Sequence, residues 1–185
     1  VEPFENYRLN CKENYIPGIY QKSLLSLKKI GNDFDFYIRT NLSTFFIFDY
    51  LEDYVKNIPI NKPILSGHCN NKNYASGTSI VLNKLGRELL LKYGFDKKYF
   101  NNTKLYDDVL IGKVFNDNKK SCKVINKNSL YFWKYDKDYN LNLKNIKKDK
   151  FPFVRLKNEK NTDEYTKVIN KLIRFYYKKK TNFYD

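Results

Sequence analysis

Two adjacent carboxylates, Asp107-Asp108, precede Val109-Leu110-Ile111-Gly112. A carboxylate held partly away from water is a ready proton acceptor for a hydroxyl. Acids in a first helical turn are also ordinary decoration, because the helix macrodipole favours them there. A second polar cluster, Arg39-Thr40-Asn41-Leu42-Ser43, closes a stretch of alternating apolar residues. Polar groups where a strand of an α/β sheet ends are where such sheets bind ligands, and an Arg there suits a phosphate. The structural alternative is that Ser43 caps a helix and Arg39 pairs with an acid. Tyr74-Ala75-Ser76-Gly77-Thr78 sets a glycine among small hydroxyl residues. That lets a ligand approach the backbone closely, although Ser76-Gly77 alone is only a turn. In Phe153-Val154-Arg155-Leu156-Lys157-Asn158, alternation puts Arg155 and Lys157 on one face of an extended segment. Such a pair suits a diphosphate, or else guards an exposed strand edge.

In this order and at these separations, the four segments resemble the acceptor-side half of a GT-A-fold, sugar-nucleotide-dependent glycosyltransferase. The similarity is to fringe-like and β1,3-transferase-like enzymes, and to glycosyltransferase-like proteins of large DNA viruses. In those enzymes the strand–turn–helix matching Arg39 to Phe45 carries a DxD motif whose aspartates hold manganese. Here Arg39, Thr40, Thr44 and Phe45 sit in matching places, and Asn41 and Ser43 take the acid positions. A neutral amide and a hydroxyl are poorer ligands than carboxylates for Mn or Mg. Metal dependence is therefore open, with Asn41 and Ser43 as weak candidate ligands.

The resemblance implies Asp108, just before the Val, as general base, and Asp107 as an acceptor-holding residue or helix cap. It implies that Arg39, Thr40, Asn41 and Ser43 lie near the diphosphate. Ser76 and Gly77 would line the sugar pocket, and Arg155 and Lys157 would add phosphate contacts. The implied reaction is inverting transfer from a nucleotide-diphosphate sugar to a hydroxyl of a glycan, protein or lipid acceptor. The setting is left unknown by the sequence, with the cytoplasm, a viral factory or a virion favoured over the secretory pathway.

The chain has 185 residues, the size of one domain, and the reading takes 1–185 as a single glycosyltransferase-like domain. Its 17 Tyr and 14 Phe supply bulk for a core. No apolar run reaches the roughly 18–20 residues a membrane span needs, and no apolar leader opens the chain. Cys11, Cys69 and Cys122 are widely spaced and His68 is the only histidine, which argues against a structural zinc site. A reducing compartment is the simplest reading, with one disulfide as the alternative. The net charge of +15 attracts phosphates of nucleotides, nucleic acid or lipid headgroups, or else marks a lysine-rich solvated surface.

The elements that must position these groups can be read from spacing. The sequence predicts an irregular start over 1–15, a helix from Gly18 to Lys29 ended by Gly31, and a strand closing near Arg39. A helix is predicted over Thr44 to Asn57, capped by Ser43 or Thr44 and stopped by Pro59. Short strands begin at Ile64 and span Ser79 to Leu82. Asn83 caps a helix closed by Gly94. A helix is predicted over Asp107–Phe115. Strands are predicted at Val124-Ile125 and Leu130–Trp133, joined by the turn-prone Asn126-Lys127-Asn128. Residues 134–150 read as an exposed loop, and Asp163–Tyr177 as the last helix. Helices alternating with short strands predict an α/β fold, here a GT-A-like mixed sheet flanked by helices.

GT-A enzymes usually open with a βαβ unit that binds the nucleotide, and none is legible ahead of Gly18. The chain also holds no Met and starts at Val1. The expectation is a reduced or missing N-terminal nucleotide-binding part. Two other readings compete with the enzyme: a basic nucleic-acid-binding module, and a pseudoenzyme that keeps the pocket. Against the first, the aromatics fall mostly at core-type periodic positions, and no nucleic-acid-binding signature occurs.

Overall fold

The computed structural model describes residues 9, 14–70, 74–127, 129–134, 141–157 and 162–177. In chain order these form α1 (Gly18–Ile30), β1 (Phe36–Arg39), β2 (Thr44–Phe46), α2 (Phe48–Lys56), β3 (Ile64–Gly67), β4 (Cys69–Asn70), β5 (Tyr74–Ala75) and β6 (Ile80–Asn83). Then follow α3 (Lys84–Gly94), α4 (Lys97–Phe100), α5 (Asp107–Asp117), β7 (Lys123–Asn126), β8 (Leu130–Lys134), α6 (Leu143–Asp149), β9 (Phe153–Lys157) and α7 (Thr162–Tyr177). The expected α/β class holds. The chain falls into two compact units, each with its own sheet and core. The first runs to Thr40 and resumes at Asn57; the second takes Asn41–Lys56 and the chain from Ser129.

The first unit is built on a sheet of order β1-β6-β3-β7. β6 is antiparallel to both β1 and β3, while β7 runs parallel to β3. The register sets Arg39 opposite Ile80 and Phe36 opposite Asn83. α1, α3 and α5 pack on one another. Tyr20, Leu24, Leu90, Leu110, Val114 and Phe115 form their common core, each almost fully buried. Burying each such side chain contributes about 1.5–3 kcal/mol. α1 follows from the helical spacing of Tyr20, Leu24 and Leu27, and stops where Gly31 turns to φ 84°, a conformation that only glycine adopts freely.

Asn83 fixes the start of α3 as predicted. Its side-chain oxygen accepts from Gly86 N at 2.7 Å and from Ile64 N at 3.0 Å. Its amide nitrogen donates to the carbonyls of Pro59 and Lys62, both at 2.8 Å. One buried side chain thus caps a helix and ties down the entry to β3.

The second unit has a sheet of order β2-β9-β8, antiparallel between β2 and β9 and parallel between β8 and β9. Ile47, Ile146, Val154, Leu156 and Leu172 form its core. Three expectations are corrected in this unit. The helix expected over Thr44–Asn57 begins only at Phe48, because Thr44, Phe45 and Phe46 pair with Arg155, Val154 and Phe153. β-Branched and aromatic residues favour that pleated surface, so neither Ser43 nor Thr44 caps α2. The loop expected over 134–150 contains α6, which buries Ile146 and is capped by Asn142 accepting from Asn145 N at 3.0 Å. Residues 135–140 of that stretch lie outside the described residues. The Phe153–Lys157 segment is extended as predicted, but it is the central strand of its sheet and no edge. The strands at 124–125 and 130–133 also exist as predicted, yet they belong to different sheets.

Of the irregular start expected over 1–15, the described residues include only Leu9, Asn14 and Tyr15. Among the described residues, no helix is long and apolar enough to cross a membrane. Cys69 and Cys122 are both free thiols.

Candidate functional site

Three distant segments of the first unit meet at the end of β1. Arg39 is the last residue of that strand, the Ser76–Thr78 turn leads into β6, and Asp107-Asp108 open α5. The turn is closed by Ser79 N donating to Ser76 O at 2.8 Å. α5 reaches the turn because it packs against β5, the strand just before Ser76.

The groups are bonded directly to one another. The Arg39 guanidinium forms an ion pair with the Asp107 carboxylate and donates through Nη1 to Gly77 O at 2.9 Å. Gly77 N donates in turn to Asp108 Oδ2 at 3.2 Å. Asp108 Oδ1 accepts from Val109 N at 2.8 Å, in the first turn of α5 where backbone N–H groups are unspent. Gly77 thus connects Arg39 to Asp108 through its own peptide groups. A Cβ at this position would lie 2.3 Å from Arg39 Nη1, closer than two such atoms can approach. Alongside, Thr40 Oγ1 donates to Thr78 O at 2.8 Å, and the Ser76 and Thr78 hydroxyls lie 3.2 Å apart.

Asp107 and Asp108 adjoin in sequence but differ in surroundings. Burial pushes the Asp107 carboxyl above the usual 3.8. The Arg39 guanidinium pulls it back down, and the neighbouring Asp108 carboxylate pushes it further up. The side chain of Asp107 is 11% exposed and that of Arg39 26%, so the pair is shielded but still reached by solvent. A cavity of about 390 Å³ borders Arg39 and Thr40, with Tyr37, Ile80 and Ile111 among its walls. That volume falls in the range of small-molecule sites. Ile111, one helical turn beyond Asp107, is the residue that α5 contributes to this wall.

The expected site residues are therefore placed unequally. Arg39, Thr40, Ser76, Gly77, Asp107 and Asp108 come together in the first unit. Asn41 and Ser43 belong to the second, where Asn41 O accepts from Thr44 N at 3.0 Å and Ser43 O from Leu156 N at 2.9 Å. Arg155 is half-buried on β9 in the second unit; the side chain of Lys157 and all of Asn158 lie outside the described residues. Arg39 does pair with an acid, the structural alternative weighed above, and the partner is one of the two candidate catalytic carboxylates.

The neutral oxygens of Asn41 and Ser43 suit a hard divalent ion poorly. Among the described residues, no group of three His, Cys, Asp or Glu side chains converges. Asn41 and Ser43, the two candidate ligands, do not by themselves fit a Mn or Mg site.

Three residues of this region lie outside the expected site residues, although Thr78 belongs to the Tyr74–Thr78 segment. His68 pins the turn through its backbone: its carbonyl accepts from Ser76 N at 2.8 Å, and its N–H donates to Ser79 Oγ at 3.1 Å. Its Nδ1 is buried without a hydrogen-bond partner among the described residues. Thr78 is 6% exposed and ties Thr40 to the turn. Tyr106 precedes Asp107, is 54% exposed, and meets the exposed Tyr15 ring edge-on at 5.7 Å. An exposed aromatic beside paired acids was the one signal that could have singled out Tyr106.

Compared with known proteins, the chain matches no family model and no curated protein.

Proposed function

We propose that the first unit carries the transfer site of a glycosyltransferase using a nucleotide-diphosphate sugar, with Asp108 as base. The observation that carries this reading is the bonded convergence of Arg39, Gly77, Asp107 and Asp108 from three separate segments. Sugar transfer needs a proton acceptor, positive charge for a leaving diphosphate and a cleft that aligns the two substrates. Each requirement has a candidate here, and the segments supplying them are those whose order resembles GT-A enzymes.

The step runs as an in-line displacement. The acceptor hydroxyl attacks the anomeric carbon while its proton passes to an Asp108 carboxylate oxygen. The bond from that carbon to the diphosphate oxygen breaks, and its electron pair leaves with the nucleoside diphosphate. The configuration at the sugar carbon inverts. Asp108 is oriented by the N–H groups of Gly77 and Val109, and each carboxylate oxygen keeps a lone pair for the incoming proton. Arg39 spends some of its five N–H groups on Gly77 and Asp107; the rest are available to a phosphate oxygen. Thr40 supplies a hydroxyl at the cavity wall, and Ser76 one at the turn beside it.

The test compares the wild-type chain with Asp108→Asn. General-base catalysis contributes about 10²–10⁴-fold, and the variant is expected to lose transfer by that factor. Thermal stabilisation by the nucleoside diphosphate is expected to persist. Unchanged transfer would remove the base assignment. Absence of stabilisation of the wild type by any nucleotide sugar or nucleoside diphosphate, with and without manganese, would remove the transferase reading.

A further inference from the structure

The second unit carries a cationic groove that the transfer chemistry does not use. It has a volume of about 520 Å³ and lies along α7, walled by Lys167, Asn170, Lys171, Arg174 and Phe175, with Leu143 of α6 opposite. Lys167, Lys171 and Arg174 recur at helical spacing, so their charges line one face. All three are exposed, as is Phe175 at 43%. No carboxylate is among the described residues that line the groove. The opposite face of α7 is spent on the core, where Val168 and Leu172 are buried. Lys144, Lys147 and Lys148 of the neighbouring α6 are also exposed. In sequence, Lys178-Lys179-Lys180 follows, and no acid occurs from Tyr165 to Tyr184.

We infer that this face of α7 docks on a bilayer surface bearing anionic phospholipids. Charge complementarity supports it: a polybasic cluster on an amphipathic helix is the pattern that anionic headgroups attract. The apolar side of α7 is already buried in its own unit, so attachment is electrostatic, shallow and reversible, with the Phe175 ring at the interface. A single-stranded nucleic acid would meet the same charges but needs a series of exposed rings for its bases. Here Phe175 is the one aromatic lining the groove among the described residues. Tyr176 packs on Tyr50 at 5.8 Å, and Tyr177 on Phe45 at 6.0 Å.

The test is co-sedimentation of the full chain with vesicles of phosphatidylcholine containing about a third phosphatidylserine, against phosphatidylcholine alone. The expected result is binding only to the anionic vesicles at low salt, lost as salt is raised. The combined variant Lys167→Gln, Lys171→Gln, Arg174→Gln is expected to bind roughly a hundredfold more weakly, at the contribution typical of basic residues near an anionic surface. Circular dichroism of that variant checks that it is folded, and the salt series on the wild type needs no variant. The inference is overturned if the wild type ignores anionic vesicles, if it binds both kinds equally, or if the variant binds as well as the wild type. It is also overturned if a single-stranded oligonucleotide at equal phosphate concentration strips the protein from the vesicles.

Discussion

Gly77 is held between two charged partners, donating to Asp108 and accepting from Arg39. A Cβ there would collide with Arg39 Nη1 at 2.3 Å but stay 3.6 Å from Asp108 Oδ2. Gly77→Ala therefore displaces the guanidinium and leaves the Asp108 contact intact. One charge-assisted hydrogen bond, of net worth about 1.5–3 kcal/mol, is lost, and the stability in urea unfolding is expected to fall by that amount with the chain still folded. The kcat/KM for transfer is expected to fall by about tenfold or more, because the cation leaves its aligned position. A folded variant of equal activity would show that Gly77 does not act by holding Arg39. At this scale the sequence was a partial guide. The acid pair, the glycine turn and Arg39 stood out by type. That Arg39 pairs with Asp107 could not be read, because the two are brought together only by the packing of α5 on β5. His68 was illegible because it acts through its backbone groups, which any residue type has; Thr78 stood in the Tyr74–Thr78 segment, and only its bond to Thr40 through its carbonyl was hidden.

At the scale of elements, helices with a clear apolar period were legible: α1, α3, α5 and α7 appear close to their expected spans. The failures have physical causes. Thr44–Phe46 continues into a helical spacing at Ile47 and Leu51, but its pairing partner is β9, more than a hundred residues further on. Only that non-local contact decides for strand. α6 was hidden because its buried Ile146 sits among four surface lysines, at 144, 147, 148 and 150. Asn83 lies at the other extreme, since a cap acts locally and is written in the sequence. Its predicted consequence is correspondingly sharp. Asn83→Ala removes the cap of α3, worth about 1 kcal/mol, and strands the buried Ile64 N–H and two carbonyls. The expected loss is about 3 kcal/mol in urea unfolding. A loss under about 1 kcal/mol would mean that water replaces the amide and that the link to β3 is dispensable.

The whole molecule carries a charge of +15, and its stability reflects how each carboxyl titrates in that field. Asp117 accepts from the Tyr99 hydroxyl at 2.7 Å and faces Lys113, and both hold its carboxyl below the ordinary value. Its contribution is present at neutral pH and lost as pH falls through the lowered folded value. Asp107 acts in the opposite sense. Burial raises its carboxyl above 3.8, with the pull of Arg39 already included in that balance. Between 3.8 and the raised value, the native chain keeps a proton that the unfolded chain has released. Stability from this group therefore falls as pH rises through that window, by about 1.4 kcal/mol for each tenfold change in proton affinity. Asp107→Asn cannot titrate, so subtracting its stability from that of the wild type, pH by pH, isolates the effect from Asp117 and every other acid. The difference is expected to be flat below 3.8, to move against the wild type as pH rises, and to level off above the raised folded value. Chemical unfolding at a series of pH values reads it directly. A difference that grows in favour of the wild type would mean that Arg39's attraction outweighs burial. Asp107 would then be an ordinary ionised partner, with no reserve of proton affinity to offer the site.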